Sequence, residues 1–151
     1  MNEVKTASTL AMLGGGQLGR FFVQAAQNLG YKVTVLDPDP DSPAGKIADH
    51  HICKKYDDQE ALLSLAKTCQ AASTEFENIP AASLKYLEKH ITVRPGSYAV
   101  SIVQNRISEK SFLRENFFPV GDFAIINLED DIQSINPSIF PGILKIAQFG
   151  Y

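Results

Sequence analysis

The apolar positions of the chain change period several times, and each change marks an element. Ser8 to Leu13 is a short, continuous apolar run of the kind that forms a buried strand. It stops at Gly14-Gly15-Gly16. From Gln17 to Leu29 the apolar residues are Leu18, Phe21, Phe22, Ala25, Ala26 and Leu29, close to the helical repeat, which predicts an amphipathic helix. Gly30 is placed as its C-terminal stop. Lys32 to Asp37 is a second strand, with Val33, Thr34 and Val35 as its β-branched centre. A strand, a glycine turn, a helix and a strand in this order imply a right-handed parallel crossover.

The alternation continues. Pro38 to Gly45 is a proline-punctuated loop, and a short third strand is expected around His51-Ile52-Cys53. Asp57 or Asp58 caps a helix through Leu62, Leu63, Leu65 and Ala66. Ala71 to Phe76 reads as the fourth strand, with Glu75 and Glu77 marking its carboxyl end. Pro80 opens a helix through Leu84, Tyr86 and Leu87, and Ile91 to Arg94 is a fifth strand stopped by Pro95-Gly96. The fold class expected is α/β, a Rossmann-like doubly wound parallel sheet with helices on both faces. Helices follow over Ser97–Val103 and Asn105–Asn116, and Phe117-Phe118-Pro119 breaks the pattern. Asp122–Ile126, a helix from Leu128 to about Ile135 and a strand over Ile143–Ala147 read as the opening of a second, smaller unit, with the strand running on to Tyr151. The expected boundaries are 1–104 for the first domain and 105–151 for the beginning of the second. Tyr56 and the phenylalanines are assigned to the core, and His50, His51 and His90 to the surface.

Composition narrows the function classes. With 151 residues, 44% hydrophobic and 21% charged, the chain has the make-up of a globular protein and room for one core plus the start of another. A net charge of -3 provides no general attraction to nucleic acid. No run approaches the roughly 20 apolar residues of a membrane span, and the N-terminus lacks the apolar stretch of a secretory signal. Cys53 and Cys69 are two isolated thiols that form no C-x-x-C pair, so no metal site is expected and a reducing cytoplasm suits them.

The first candidate for chemistry is the turn. Gly14, Gly16 and Gly19 fit G-x-G-x-x-G, which aims backbone N–H groups and a helix N-terminus at one point where an anion can rest. Asp37 lies 18 residues beyond Gly19, near the position of the ribose-binding acid of a dinucleotide site. The plainer reading is that the glycines only permit a tight turn. Glu75 and Glu77 flank Phe76 at the carboxyl end of a parallel strand, where open α/β sheets bind ligands; solvated loop acids are the alternative. Arg106, Glu109 and Lys110 form a charged helix face. Lys145, inside an apolar strand, either snorkels or meets an anion such as phosphate.

Several stretches in register resemble the N5-carboxyaminoimidazole ribonucleotide synthetase family of the ATP-grasp superfamily. They are Gly14 to Arg20, Leu36 to Ala44, Thr74 to Pro80, Val93-Arg94-Pro95, Gln104-Asn105-Arg106 with Glu109-Lys110, and Leu144-Lys145 with Phe149-Gly150-Tyr151. The resemblance runs from about Thr9 to Tyr151 and implies a pre-ATP-grasp domain followed by the first elements of an incomplete ATP-grasp domain. It implies a ligase of de novo purine synthesis that uses ATP and bicarbonate to carboxylate 5-aminoimidazole ribonucleotide through carboxyphosphate. By position, Gln17, Leu18, Glu75 and Tyr151 would contact the aminoimidazole ribonucleotide, with Glu75 near the substrate amine or ribose. Arg106 and Lys145 would contact ATP. A homodimer is common in the family.

The sequence departs from the family in one large respect. Gly150-Tyr151 would continue into a glycine-rich phosphate loop, the adenine pocket and the Mg²⁺ ligands, so the Mg²⁺ site is expected in the missing C-terminal part and this chain alone is expected not to turn over ATP. A smaller departure is Phe117-Phe118-Pro119-Val120, where a Gly-Ile-Pro-Thr-like turn is usual. Three other readings compete: an NAD(P)-binding Rossmann domain of a dehydrogenase, a non-catalytic truncated binding module, and a relative acting on glycinamide ribonucleotide with formate. Gln17-Leu18 argues against the last, where Glu-Leu is more usual.

Overall fold

The computed structural model describes residues 7–149. The chain divides after Ser101 into two compact units. The first is built on a five-stranded sheet in the order β3-β2-β1-β4-β5, with every neighbouring pair parallel. The strands are β1 (Thr9–Leu13), β2 (Lys32–Leu36), β3 (His50–Ile52), β4 (Ala71–Thr74) and β5 (Thr92–Val93). The helices are α1 (Gln17–Asn28), α2 (Gln59–Thr68), α3 (Ala81–Leu87) and α4 (Ser97–Val103), and α5 (Arg106–Glu115) belongs to the second unit. This is the doubly wound sheet that the alternation of periods predicts.

Strand alternation sorts the apolar side chains into two cores. Met12, Val33 and Val35 face α1, where they pack with Val23, Ala26 and Phe22. Ala11, Leu13, Leu36, Ala72 and Val93 face the other way, onto Leu62 and Leu65 of α2, Leu84 and Leu87 of α3, and Val100 of α4. Sheet faces covered by helices on both sides explain why β1 reads as an unbroken apolar run.

Local signals set the ends of the helices. Asp58 caps α2, its carboxylate accepting the Ala61 N–H at 2.9 Å. Gly30, at φ 84, follows α1 in the left-handed conformation that stops helices. The start of α4 is held by Glu88, which accepts the Ser97 hydroxyl at 2.5 Å and the Ser97 N–H at 2.7 Å. These bonds, the hydroxyl first, hold the Glu88 carboxyl below its ordinary range. A carboxyl depressed by folding stabilises the fold at neutral pH and loses that contribution as pH falls below the ordinary glutamate range. Because Glu88 is exposed, Glu88→Gln should cost no more than about 1 kcal/mol at pH 7. It should also flatten the pH dependence of unfolding between about pH 5 and 3. Urea titrations at the two pH values check both.

In the second unit, Asn105 caps α5 by accepting the Ile107 and Ser108 N–H groups at 2.8 and 3.2 Å. The helix ends at Phe117, which adopts φ 60 while its N–H donates to the Arg114 carbonyl. Phe117 thus takes the left-handed conformation that glycine most often supplies at the end of a helix. The Arg114 guanidinium lies 3.9 Å from the centre of the Phe123 ring.

Several expectations are corrected, most of them in this part of the chain. The strand expected over Ile143–Ala147 does not form, because no partner strand lies beside it among the described residues. The helix expected from Leu128 is a 3-10 turn over Glu129–Ser134, with Asp131 accepting the Asn127 and Leu128 N–H groups. Lys145 is exposed rather than part of a buried run, and its neighbours Ile143 and Leu144 are 84% and 78% exposed. The phenylalanines are not all core: Phe21, Phe117, Phe118, Phe140 and Phe149 are exposed. His51 is half-buried, its Nε2 3.1 Å from the Asp37 carbonyl oxygen.

Candidate functional site

The sheet order reverses at β1: β2 and β3 lie to one side of it, β4 and β5 to the other. A ligand crevice is expected outside the carboxyl ends of the strands at such a switch point. Two stretches meet there, Gly14–Gly19 after β1 and Glu75–Glu77 after β4. The Glu75 N–H donates to the Leu13 carbonyl at 2.9 Å, so the segment after β4 continues alongside the glycine turn.

The anion on the turn is one of the protein's own carboxylates. The Gly16 N–H donates to Glu75 Oε2 at 2.5 Å and the Leu18 N–H to Glu75 Oε1 at 3.2 Å. Both oxygens rest on the first turn of α1, where the helix dipole favours negative charge. The glycines permit this approach. Gly14 has φ 108, and a Cβ there would meet Glu75 Cβ at 2.7 Å. A Cβ on Gly16 would strike Glu75 Oε1, and one on Gly19 would lie 2.6 Å from the Gly14 carbonyl oxygen.

A second carboxylate holds the turn from below. Asp37, 7% exposed at the end of β2, accepts the Gly15 N–H at 2.7 Å and the Tyr56 hydroxyl at 2.6 Å on Oδ2, and the Asp39 N–H at 2.9 Å on Oδ1. Asp37 therefore points inward, and the ribose-binding role considered from its spacing is corrected: its carboxylate is engaged by the fold. Burial raises the Tyr56 phenol well above its ordinary range, with further contributions from Asp37 and the Glu75 charge. The Pro38–Gly45 loop closes over the same point, the Ala44 N–H donating to the Gly15 carbonyl at 2.8 Å. The Ser42 hydroxyl, 2% exposed and packed against Gly15, has no hydrogen-bond partner, and nothing in the structure explains it.

Of the residues singled out from the sequence, Gly14, Gly16, Gly19, Gln17, Leu18 and Glu75 converge on this one place. Gln17 and Leu18 present exposed side chains next to the Glu75 carboxylate, and Phe76 packs into the larger core. Arg106 and Lys145 belong to the second unit, where the Arg106 N–H donates to the Ala147 carbonyl at 2.8 Å. That bond ties the segment carrying Lys145 to the start of α5. Tyr151 lies outside the described residues. Among those residues no three His, Cys, Asp or Glu side chains come together as metal ligands. No helix among them is long and apolar enough to cross a membrane.

Two participants escape sequence reasoning. Tyr56 has the composition of a core residue, and only the fold shows its hydroxyl on Asp37. The closure of the turn by the Pro38–Gly45 loop is equally silent, although the density of Pro, Asp and Gly there marks a loop with fixed geometry.

Comparison with known proteins matches residues 7–104 to the ribonucleotide synthetase preATP-grasp domain. The chain is 38% identical, over 151 aligned positions, to the N5-carboxyaminoimidazole ribonucleotide synthase of Staphylococcus aureus strain COL; the match covers 99% of this chain and 40% of the relative. The chain thus spans about two fifths of the length of the curated relatives it matches. Among solved structures, the Staphylococcus aureus N5-carboxyaminoimidazole synthetase complexed with ADP superposes with a TM-score of 0.83 at 38% identity, covering 92% of this chain and 36% of that one. The Aspergillus clavatus N5-carboxyaminoimidazole synthase in complex with ADP and 5-aminoimidazole ribonucleotide gives 0.77 at 29% identity, over 90% of this chain and 37% of that one.

Proposed function

Because the chain belongs to the family of ribonucleotide synthetase preATP-grasp domains, we propose that it forms the substrate side of an ATP-dependent ligase that carboxylates 5-aminoimidazole ribonucleotide. In this reading ATP phosphorylates bicarbonate to carboxyphosphate and leaves as ADP. Carboxyphosphate releases carbon dioxide and phosphate, and the exocyclic amine bonds to the carbon and gives up a proton to the released phosphate, leaving the N5-carbamate. Phosphorylation turns an inert anion into an activated acyl group, which a water-excluding site protects.

The observation that carries the reading is the seat of Glu75. Each carboxylate oxygen accepts one backbone N–H and keeps a second lone-pair direction free for a substrate donor. An amine that attacks carbon dioxide gains positive charge at nitrogen, and a fixed carboxylate beside it stabilises that charge without reorganising. Gln17 and Leu18 flank this carboxylate and are assigned to the ribonucleotide, together with Tyr151. Arg106 and Lys145 are assigned to ATP, and the exposure of Lys145 supports this, since its ammonium is open to an anion. Residues 1–104 are taken as the preATP-grasp domain and 105–151 as the beginning of the ATP-grasp domain. The family match and the division after Ser101 support that boundary. A cytoplasmic location agrees with two unpaired cysteines, and a homodimer rests on the resemblance alone.

The structure also weighs against the dehydrogenase reading. A pyrophosphate on this turn must displace Glu75 from the Gly16 and Leu18 N–H groups, and Asp37 is not free to reach a ribose.

Calorimetric titration of the chain with 5-aminoimidazole ribonucleotide tests the proposal. Saturable binding is expected, weakened at least about tenfold in Glu75→Gln, whose amide cannot accept both N–H bonds. Equal affinity in the two proteins would remove Glu75 from the site, and saturable binding of NADH would favour the dehydrogenase.

A further inference from the structure

Two successive backbone N–H groups of the turn are each held by an acid from a different strand. The Gly15 N–H points to Asp37 after β2, and the next N–H, that of Gly16, points to Glu75 after β4. The Gly15 carbonyl between them accepts the Ala44 N–H. Because the peptide unit is planar, turning it moves the Gly15 carbonyl and the Gly16 N–H together. The direction of the N–H that seats Glu75 thus depends on how Gly15 is held on both sides: at its carbonyl by Ala44 and at its N–H, in the preceding peptide, by Asp37.

Asp37 in turn has one side-chain donor, the Tyr56 hydroxyl at 2.6 Å. The Tyr56 ring also rests edge-on against Phe76, the neighbour of Glu75, with centroids 5.9 Å apart and planes at 68°. Tyr56 therefore touches the support of the turn through its hydroxyl and the Glu75 segment through its ring. We propose that Tyr56 is a positioning residue for Glu75. Through Asp37 its hydroxyl holds the Gly14–Gly15 peptide, and with it the residue from which the next N–H, that of Gly16, seats the carboxylate, and this sets the affinity of the site for its ribonucleotide. The second clause rests on the function proposed above; the first does not.

Tyr56→Phe removes the hydroxyl and keeps the ring on Phe76. In the unliganded chain the Gly15 and Gly16 amide resonances should shift while resonances elsewhere in the sheet stay in place. Affinity for 5-aminoimidazole ribonucleotide should fall about tenfold, a loss measured far below the unfolding temperature, where a purely structural role would leave it unchanged. An unmoved Gly16 resonance with affinity within twofold of the unsubstituted chain would overturn the proposal. Should Tyr56→Phe fail to fold, hydrogen exchange in the unsubstituted chain decides. Saturating ribonucleotide should slow Gly15 and Gly16 in parallel, and protection of Gly16 alone would break the link. If the unsubstituted chain binds no ribonucleotide, the functional reading fails, and the unliganded amide shifts of Tyr56→Phe still settle the positioning role.

Discussion

Replacing Asp37 by Ala should lower the stability of the first unit by about 4 kcal/mol, the largest loss expected from any substitution at the turn. The carboxylate is 7% exposed and collects three donors: the Gly15 N–H, the Tyr56 hydroxyl and the Asp39 N–H. Truncation strands the first two at about 1–3 kcal/mol each and leaves a void beneath the turn. Asp37→Asn should cost less, because its amide oxygen, in the place of Oδ2, can still accept both, and only the Asp39 N–H loses its acceptor. A urea titration of both variants against the unsubstituted chain measures this. A loss below about 1 kcal/mol in Asp37→Ala would mean that the turn does not lean on Asp37.

The second large effect separates the glycines from one another. Gly14→Ala should cost about 3 kcal/mol, since φ 108 is hostile to an L side chain and the new methyl meets Glu75 Cβ at 2.7 Å, an atom close to the main chain. Gly16→Ala is a different experiment. Its methyl would strike Glu75 Oε1, the far end of a flexible side chain that can swing aside. The fold should then lose only about 1 kcal/mol, while the carboxylate is pushed off the Gly16 and Leu18 N–H groups. Thermal unfolding and ribonucleotide titration should therefore rank the two oppositely: Gly14→Ala worse in stability, and Gly16→Ala folded yet binding as poorly as Glu75→Gln. If Gly16→Ala binds normally, the seat of Glu75 is not what the ligand uses.

The periods of the sequence carry most of the first unit, because each element there is decided by neighbours in the chain. Consecutive β-branched residues make β2, the Asp58 cap starts α2 and Gly30 ends α1. The occupant of the turn is a different kind of fact. Glu75 reaches Gly16 across 59 residues, and no local pattern reports which acid a parallel sheet delivers to a helix N-terminus. The spacing of Asp37 suggests a ribose partner only because the same strand end supplies one in dinucleotide folds. Here the Tyr56 hydroxyl turns it into a support. Lys145 and the apolar residues around it show the opposite failure. A run such as Ile143-Leu144-Lys145-Ile146 has the composition of a strand, yet a strand exists only where another backbone pairs with it.

The central claim is that the glycine turn is a seat for Glu75 on the ribonucleotide side of a ligase, and that its N–H groups are not a phosphate site for a dinucleotide. Backbone amide resonances of the ¹⁵N-labelled chain, followed during titration with 5-aminoimidazole ribonucleotide and separately with NADH, test it most directly. Saturable shifts at Gly16, Gln17 and Leu18 with the ribonucleotide, and none with NADH, are the expected result. Saturable shifts of the same amides with NADH, or a ribonucleotide titration that leaves them unmoved, would contradict it.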